Sequence, residues 1–286
     1  FGSRSHSLLK TRKSSSMQRR LQRGRLLLLV WPLSFSLHCG YVPPVAPATE
    51  TLEGLRRVLA PAKIEQLTEL AARLWEWNSK INVVSRKETR VFDVHIMPCV
   101  ALALSVPGPG GRFSKGDRVL DVGCGGGLPG LVNAIICNDA DFCLVDSIAK
   151  KIKVVDDLTE QLGLANVETR WCRVQEMSDK FDFVTGRGVK ALPEFLSWVI
   201  PRLACVQKRP SVSKSASPTY ERGGILYLKG GDLSAEIAQL GFAPDLITPV
   251  SDVFKEGLVK GDRDILYFSP ATVRSSRFVT NVRQKK

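Results

Sequence analysis

The stretch DVGCGGGLPG, residues 121–130, constrains this chain more than any other feature. It follows a short apolar run, RVLDVG (118–123), and leads into an apolar stretch of helical length, 129–137. A strand that bends through glycines into a helix opens a β-α unit. Gly123, Gly125 and Gly127 allow a tight turn and let a ligand lie against main-chain amides. Pro129 suits a first helical turn, where its missing N–H costs nothing. Taken alone, such a bend fits a dinucleotide, an adenosyl-sulfonium donor or a purely structural turn. Three details favour the sulfonium. Asp121 sits inside the first turn, near where a cationic methionine portion would be held. The GxGxG spacing followed by Leu-Pro-Gly departs from GxGxxG. Asp146 ends the next predicted strand, where a carboxylate can take both ribose hydroxyls; its alternative role is the N-cap of the following helix.

The rest of the chain has the matching rhythm. Apolar runs at 118–123, 142–146, 166–172, 181–187 and 224–230, and two more near 245–251 and 264–269, read as strands. Segments 129–137, 148–162, 191–204 and 233–240 read as helices. Alternation of this kind predicts an α/β fold, a mostly parallel sheet with helices on both faces. Ahead of it, 51–60 and 64–77 read as helices, with Ile64, Leu67, Leu70, Ala71, Leu74 and Trp77 on one stripe. A mixed helical stretch, 81–104, ends near Pro107, before the breaker cluster at 107–111. The expected organisation is a segment 1–50 outside the fold, a helical extension 51–111, an α/β domain 112–270 and a frayed basic tail 271–286. The Ser-rich, basic stretch 206–222 reads as a surface loop or insertion.

At 44% hydrophobic and 24% charged, the 286 residues are of ordinary globular composition, not fibrous or polytopic. The net charge of +13 is uneven: six Arg and two Lys against one Glu put +7 in residues 1–50. The remaining +6 makes the body moderately basic, which suits either a polyanionic partner or a solvated face. Residues 1–50 run from a basic stretch through an apolar run, Leu26 to Leu37, to a Pro-rich exit, as a presequence does. This predicts import into an organelle, a plastid first and a mitochondrion second. Met17 offers a later start, and if the segment is mistranslated upstream sequence a cytoplasmic location follows. The seven cysteines are scattered, with no CxxC and three histidines, so neither a metal site nor a disulfide framework is expected.

Several short matches occur in one order: WN at 77–78, Asn82, His95-Ile96, DVGCGGGLPG, LVDS at 144–147, KKxK at 150–153, LGLANVE at 162–168, RVQE at 173–176, FDFVTGR at 181–187 and YLKG at 227–230. Together they resemble the ribosomal RNA small-subunit methyltransferase G family, also called glucose-inhibited division protein B, over about residues 52–270. The resemblance implies a class I methyltransferase fold using S-adenosyl-L-methionine. It also implies methylation of guanine N7 in the 530 loop of bacterial-type 16S rRNA, with the small-subunit rRNA or subunit as partner. A monomer is expected, with neither DNA nor, for the mature protein, a membrane as partner. The cofactor set it implies is Gly123, Leu128, Val174, Gln175 and Arg187, beside Asp121, Gly125, Gly127 and Asp146 from the bend and strand end. The chain departs from the family in Val94 before His95, in Pro98 and Cys99 where Asp-Ser is usual, in Gln175 for Glu, and in Gly186 and Gly188 around Arg187.

Guanine N7 has an in-plane lone pair and no proton to lose, so no general base is required. Substrate positioning then falls to a few candidates. Arg187 and Lys229 end strands and would hold RNA phosphate or guanine O6; a solvated strand-end lysine is the plainer role of Lys229. His95 either stacks on or bonds the base, or is a satisfied helix histidine. Asn82 either orders the glycine loop or touches substrate. Trp75 and Trp77 read as packing residues. Lys150, Lys151 and Lys153 line an RNA path or form a solvated face. Competing readings are a small-molecule methyltransferase, a non-catalytic ribosome-assembly binder and, third, a nicotinamide dehydrogenase.

Overall fold

The computed structural model describes residues 46–85, 90–108, 110–204, 222–254 and 262–276. The expected presequence up to residue 45, residues 206–221 of the insertion and 277–286 of the tail lie outside the described residues. Seven strands form one sheet in the order β3-β2-β1-β4-β5-β7-β6. They are β1 (Arg118–Val122), β2 (Asp141–Asp146), β3 (Val167–Trp171), β4 (Phe183–Arg187), β5 (Gly224–Gly230), β6 (Leu246–Pro249) and β7 (Arg263–Phe268). The first five are parallel, and β7 runs antiparallel between β5 and β6. This is the mostly parallel, seven-stranded class I methyltransferase architecture expected. The strand order reverses between β1 and β4, which opens a crevice beyond their carboxyl ends.

Nine labelled helices cover the sheet: α1 (Thr49–Arg56), α2 (Pro61–Lys80), α3 (Met97–Ala103), α4 (Gly130–Ile136), α5 (Ala149–Gln161), α6 (Leu192–Val199), α7 (Ser234–Leu240), α8 (Val250–Val253) and α9 (Pro270–Ser275). Because helices pack on both faces, β1 and β2 are apolar almost throughout and alternate little. One core joins α1 to α5 and α8 through Leu67, Leu70, Leu74, Ile96, Val100, Leu131 and Val155. The other joins α6, α7 and α9 through Phe195, Leu196, Val199, Leu240 and Val273. The α2 stripe predicted from Ile64, Leu67, Leu70, Ala71 and Leu74 is buried, which ties the helical extension to the sheet's own core.

Prolines set several boundaries. The helix expected to reach 204 stops at Val199 and tightens into a 3₁₀ turn, Ile200–Arg202, because Pro201 has no N–H to continue it. The strand expected to reach 251 ends at Pro249 and passes into α8. Part of the tail expected to fray is instead the helix α9. Ser269 accepts from Thr272 N at 3.1 Å, Asp245 accepts from the Thr272 hydroxyl at 2.7 Å, and Val273 is buried. Arg222, the last residue of the expected insertion, is anchored: its guanidinium holds Asp117 through contacts of 2.9, 3.0 and 2.5 Å.

Candidate active site

A cavity of about 430 Å³ opens at the carboxyl ends of β1, β2 and β4. Its lining includes Gly123, Gly125 and Leu128 from the bend, Asp146 from β2, Val174 and Gln175 after β3, and Arg187 from β4. Seven of the residues singled out from the sequence for a cofactor therefore converge on one space. Asp121, Gly127, Asn82, His95 and Lys229 are not in the lining.

The bend offers bare surface more than donors. The N–H groups of Gly123 and Cys124 donate to Val145 O at 2.9 and 3.1 Å, and that of Gly125 to Asp146 Oδ2 at 3.0 Å. Those of Gly127 and Leu128 donate to Cys124 O. The amides expected to face a ligand are thus occupied within the fold. Gly123 adopts φ +67°, and a Cβ there would come within 2.9 Å of Val189. At Gly127, φ +89°, a side chain would run into Leu131. These glycines are needed for conformation and close approach.

Asp121 corrects the expectation placed on it. It is fully buried beneath the bend, its Oδ2 accepting from Gly130 N at 2.9 Å and its Oδ1 from the Thr185 hydroxyl at 3.0 Å. It therefore caps the start of α4 from inside and does not face a cationic ligand. Burial pushes its carboxyl up to about 7, opposed by the bonds from Thr185 and Gly130 and by the charge of Arg187. With Gly130 N bound to Asp121 and Leu131 N to Gly127 O at 2.7 Å, the amides at the start of α4 are turned inward. A dinucleotide pyrophosphate needs such amides free, so the geometry argues against the dehydrogenase reading.

Asp146 lies at the cavity, and the N-cap position of α5 is Ile148. Asp146 Oδ1 accepts from Ile148 N at 2.9 Å, organising the entry to α5, while Oδ2 ties down Gly125 and lies 3.9 Å from Lys151 Nζ. The same carboxylate lines the cavity, together with the apolar walls Val122, Val145, Val174 and Ile148. Lys151, Arg173, Arg187 and Lys190 give the lining four cations against this one acid.

The remaining candidates act at a distance from the cavity. Lys229 has its ammonium engaged by both Glu236 carboxylate oxygens and lies 3.4 Å from Lys190 O. Spacing along β5 gave no hint that α7 would bring Glu236 over it. Asn82 is exposed. The loop-ordering expected of it is performed by Asn78, whose Oδ1 accepts from Val83 N and Val84 N at 2.9 and 3.1 Å. Val83 then packs so closely that a Cβ on Gly126 would lie 2.9 Å from it. His95 is buried and meets the site through its backbone: His95 O accepts from Arg187 Nη1 at 3.0 Å. Trp77 is a packing residue, with Nε1 donating to Asp157 at 2.7 Å.

The unusual residues after His95 have a structural consequence. Phe92–Ile96 forms a π-helical turn that runs into α3. Pro98 has no N–H, so Val94 O lacks the donor an α-helix would supply four residues on. Arg263 Nη1 donates to Val94 O instead, at 2.8 Å. Cys99 donates to His95 O at 3.2 Å and lies 3.6 Å from Arg187 Nη1. Among the described residues no cluster of His, Cys, Asp and Glu is arranged to hold a metal, and no helix is long and apolar enough to cross a membrane.

A family model described as rRNA small subunit methyltransferase G matches residues 63–218. Three bacterial proteins named Ribosomal RNA small subunit methyltransferase G are similar to this chain. That of Christiangramia forsetii is 41% identical over 196 residues, 68% of this chain and 83% of the relative. That of Cytophaga hutchinsonii is 36% identical over 192 residues, 67% of this chain and 86% of the relative. That of Flavobacterium johnsoniae is 36% identical over 199 residues, 69% of this chain and 87% of the relative.

Proposed function

The chain belongs to the rRNA small subunit methyltransferase G family, and we propose that it transfers a methyl group from S-adenosyl-L-methionine to guanine N7 in the 530 loop of a bacterial-type 16S rRNA. The observation that carries the reading is the convergence of the glycine bend, Asp146 and the Val174–Gln175 turn on one cavity with a cationic rim. At about 430 Å³ the cavity is of a size that holds a small molecule. The bend's inward-turned amides suit a donor without phosphates. When bound, the donor supplies an electrophilic methyl group on a sulfonium.

The chain's own residues bind and orient. Asp146 is already anchored by two main-chain amides, so its carboxylate meets ribose hydroxyls with little rearrangement. Val122, Val145, Val174 and Ile148 exclude water from the adenosyl face, and Gln175 offers a donor and an acceptor to an adenine edge. Arg187, Lys151, Arg173 and Lys190 attract the RNA backbone to the mouth. Guanine N7 needs no proton removed, so alignment is the main catalytic contribution. Residues 1–50 act as a presequence that delivers the enzyme to an organelle, a plastid first, where bacterial-type ribosomes are its substrate.

Incubation of the full chain with organelle-type small ribosomal subunits and methyl-labelled donor tests this. Label in N7-methylguanine of the small-subunit rRNA is expected. Unlabelled rRNA, with donor binding intact, refutes the catalytic reading. Asp146→Ala is expected to weaken donor binding while leaving RNA affinity nearly unchanged; equal loss of both means the carboxylate has another role. Mass spectrometry of the mature N-terminus tests the presequence.

A further inference from the structure

Trp171 is the most exposed large hydrophobic residue among those described, at 68%. It ends β3, the edge strand of the sheet, opposite Asp146 in the β2 register. Its indole is fixed: Nε1 donates to Ser147 O at 3.1 Å. Ser147, Ile148, Cys172 and Arg173 line the donor cavity, but Trp171 does not. The ring therefore stands on the cavity's outer lip. Ile148, 40% exposed, is the next residue after its hydrogen-bond partner, so two of the five exposed large hydrophobics among the described residues share this lip.

An indole with its one polar group satisfied has an apolar face and a restricted orientation. It loses little freedom when something flat stacks on it. Lys151 and Arg173 line the mouth beside it, and Lys150 is exposed one residue away. An aromatic face among cations is the arrangement that binds single-stranded nucleic acid: the cations track the backbone and the ring stacks on a base. We infer that Trp171 is a stacking platform for an unpaired base of the RNA substrate next to the target guanine. The inference rests on the functional reading above and adds a contact outside the donor cavity.

The full chain, Trp171→Ala and Trp171→Phe are compared for binding to a bacterial-type small-subunit rRNA transcript across a salt series, and for donor binding. Trp171→Ala is expected to weaken RNA binding by roughly five- to a hundredfold, with donor affinity and the salt slope unchanged, because stacking releases no counterions. Trp171→Phe keeps most of the affinity. If the wild-type chain binds the transcript and Trp171→Ala binds equally well, the platform is wrong while the functional reading stands. If donor affinity falls with the substitution, the ring belongs to the donor site and the inference is overturned. If the wild-type chain neither binds nor labels the RNA, the functional reading fails and takes the platform with it.

Discussion

Arg187, at the carboxyl end of β4, donates to the backbone carbonyl of His95 at 3.0 Å, joining the cavity lining to the helical layer that precedes the sheet in sequence. The same Nη1 lies 3.6 Å from Cys99 Sγ. Arg187 thus lines the cavity and also fixes where the π-helical turn sits. Arg187→Ala is expected to lower donor affinity and to destabilise the fold by about 1.5–3 kcal/mol, the range for a hydrogen bond to a charged donor. Calorimetric donor titration and urea unfolding measure the two effects. Weaker donor binding with unchanged unfolding would leave Arg187 a ligand contact only.

Asp121 makes stability depend on pH in an unusual direction. Its folded-state carboxyl titrates at about 7, against an ordinary value of 3.8. Between those values the folded chain holds a proton that the unfolded chain has released, so this group's contribution falls as pH rises and levels off above the folded value. Asp121→Asn can still accept from Gly130 N and can donate to the Thr185 hydroxyl. The variant should therefore lose stability less than wild type between about pH 5 and about pH 8. Urea midpoints of both proteins at the two pH values check this, and parallel changes would show that Asp121 ionises without cost.

Lys190 and Lys229 should differ in what they do for RNA. The Tyr227 hydroxyl accepts from Lys190 N at 3.0 Å and donates to Lys190 O at 2.7 Å, and its ring stacks on Phe195 with centroids 4.1 Å apart. Lys190 is thereby held at the cavity lining, where its ammonium lies 3.2 Å from Glu194 in an exposed pair, while Lys229 is committed to the more buried Glu236. Lys190→Ala is expected to reduce the slope of log affinity against log salt by about 1, and Lys229→Ala to leave that slope unchanged while lowering stability. Filter-binding titrations across a salt series decide it; the reverse pattern would return the phosphate contact to Lys229.

Arg222 and Asp117 form an ion pair whose side chains are 15% and 1% exposed. Arg222 also donates to Arg112 O at 2.8 Å, so it joins the loop ahead of β1 to the start of β5. Removing it strands a buried carboxylate, and Arg222→Ala should cost about 3–5 kcal/mol. Lysine cannot reproduce the fork of contacts, so Arg222→Lys should recover only part of that loss. Urea unfolding measures both; near-wild-type stability of the alanine variant would mean that Ser114, which also donates to Asp117 at 2.8 Å, satisfies the carboxylate by itself.

The sheet and most of its helices were legible because their signals are local. Apolar runs spaced by helical stretches specify β-α units wherever they occur, and a glycine bend after a strand marks the crevice. Asp146 is legible for the same reason, since it ends the strand after the glycine bend, whereas Val174 and Gln175 are implied only by the family resemblance. What failed depended on partners outside the element that carries the residue. The availability of Lys229 is set by Glu236 on α7, and that of Asp121 by Thr185 on β4, 64 residues away. Asn78 stood next to Trp77 in a quoted match, and only its bonds to Val83 and Val84 revealed it as the residue that orders the loop.

By itself the amino-acid order determined the class of fold, the position of the crevice along the chain and the family, because periodicity, turn chemistry and motif order are properties of neighbouring residues. Tertiary structure alone decided which polar groups face that crevice and which are consumed inside the protein. A side chain's availability depends on what is packed against it, and those partners come from strands and helices that only the folded sheet brings together.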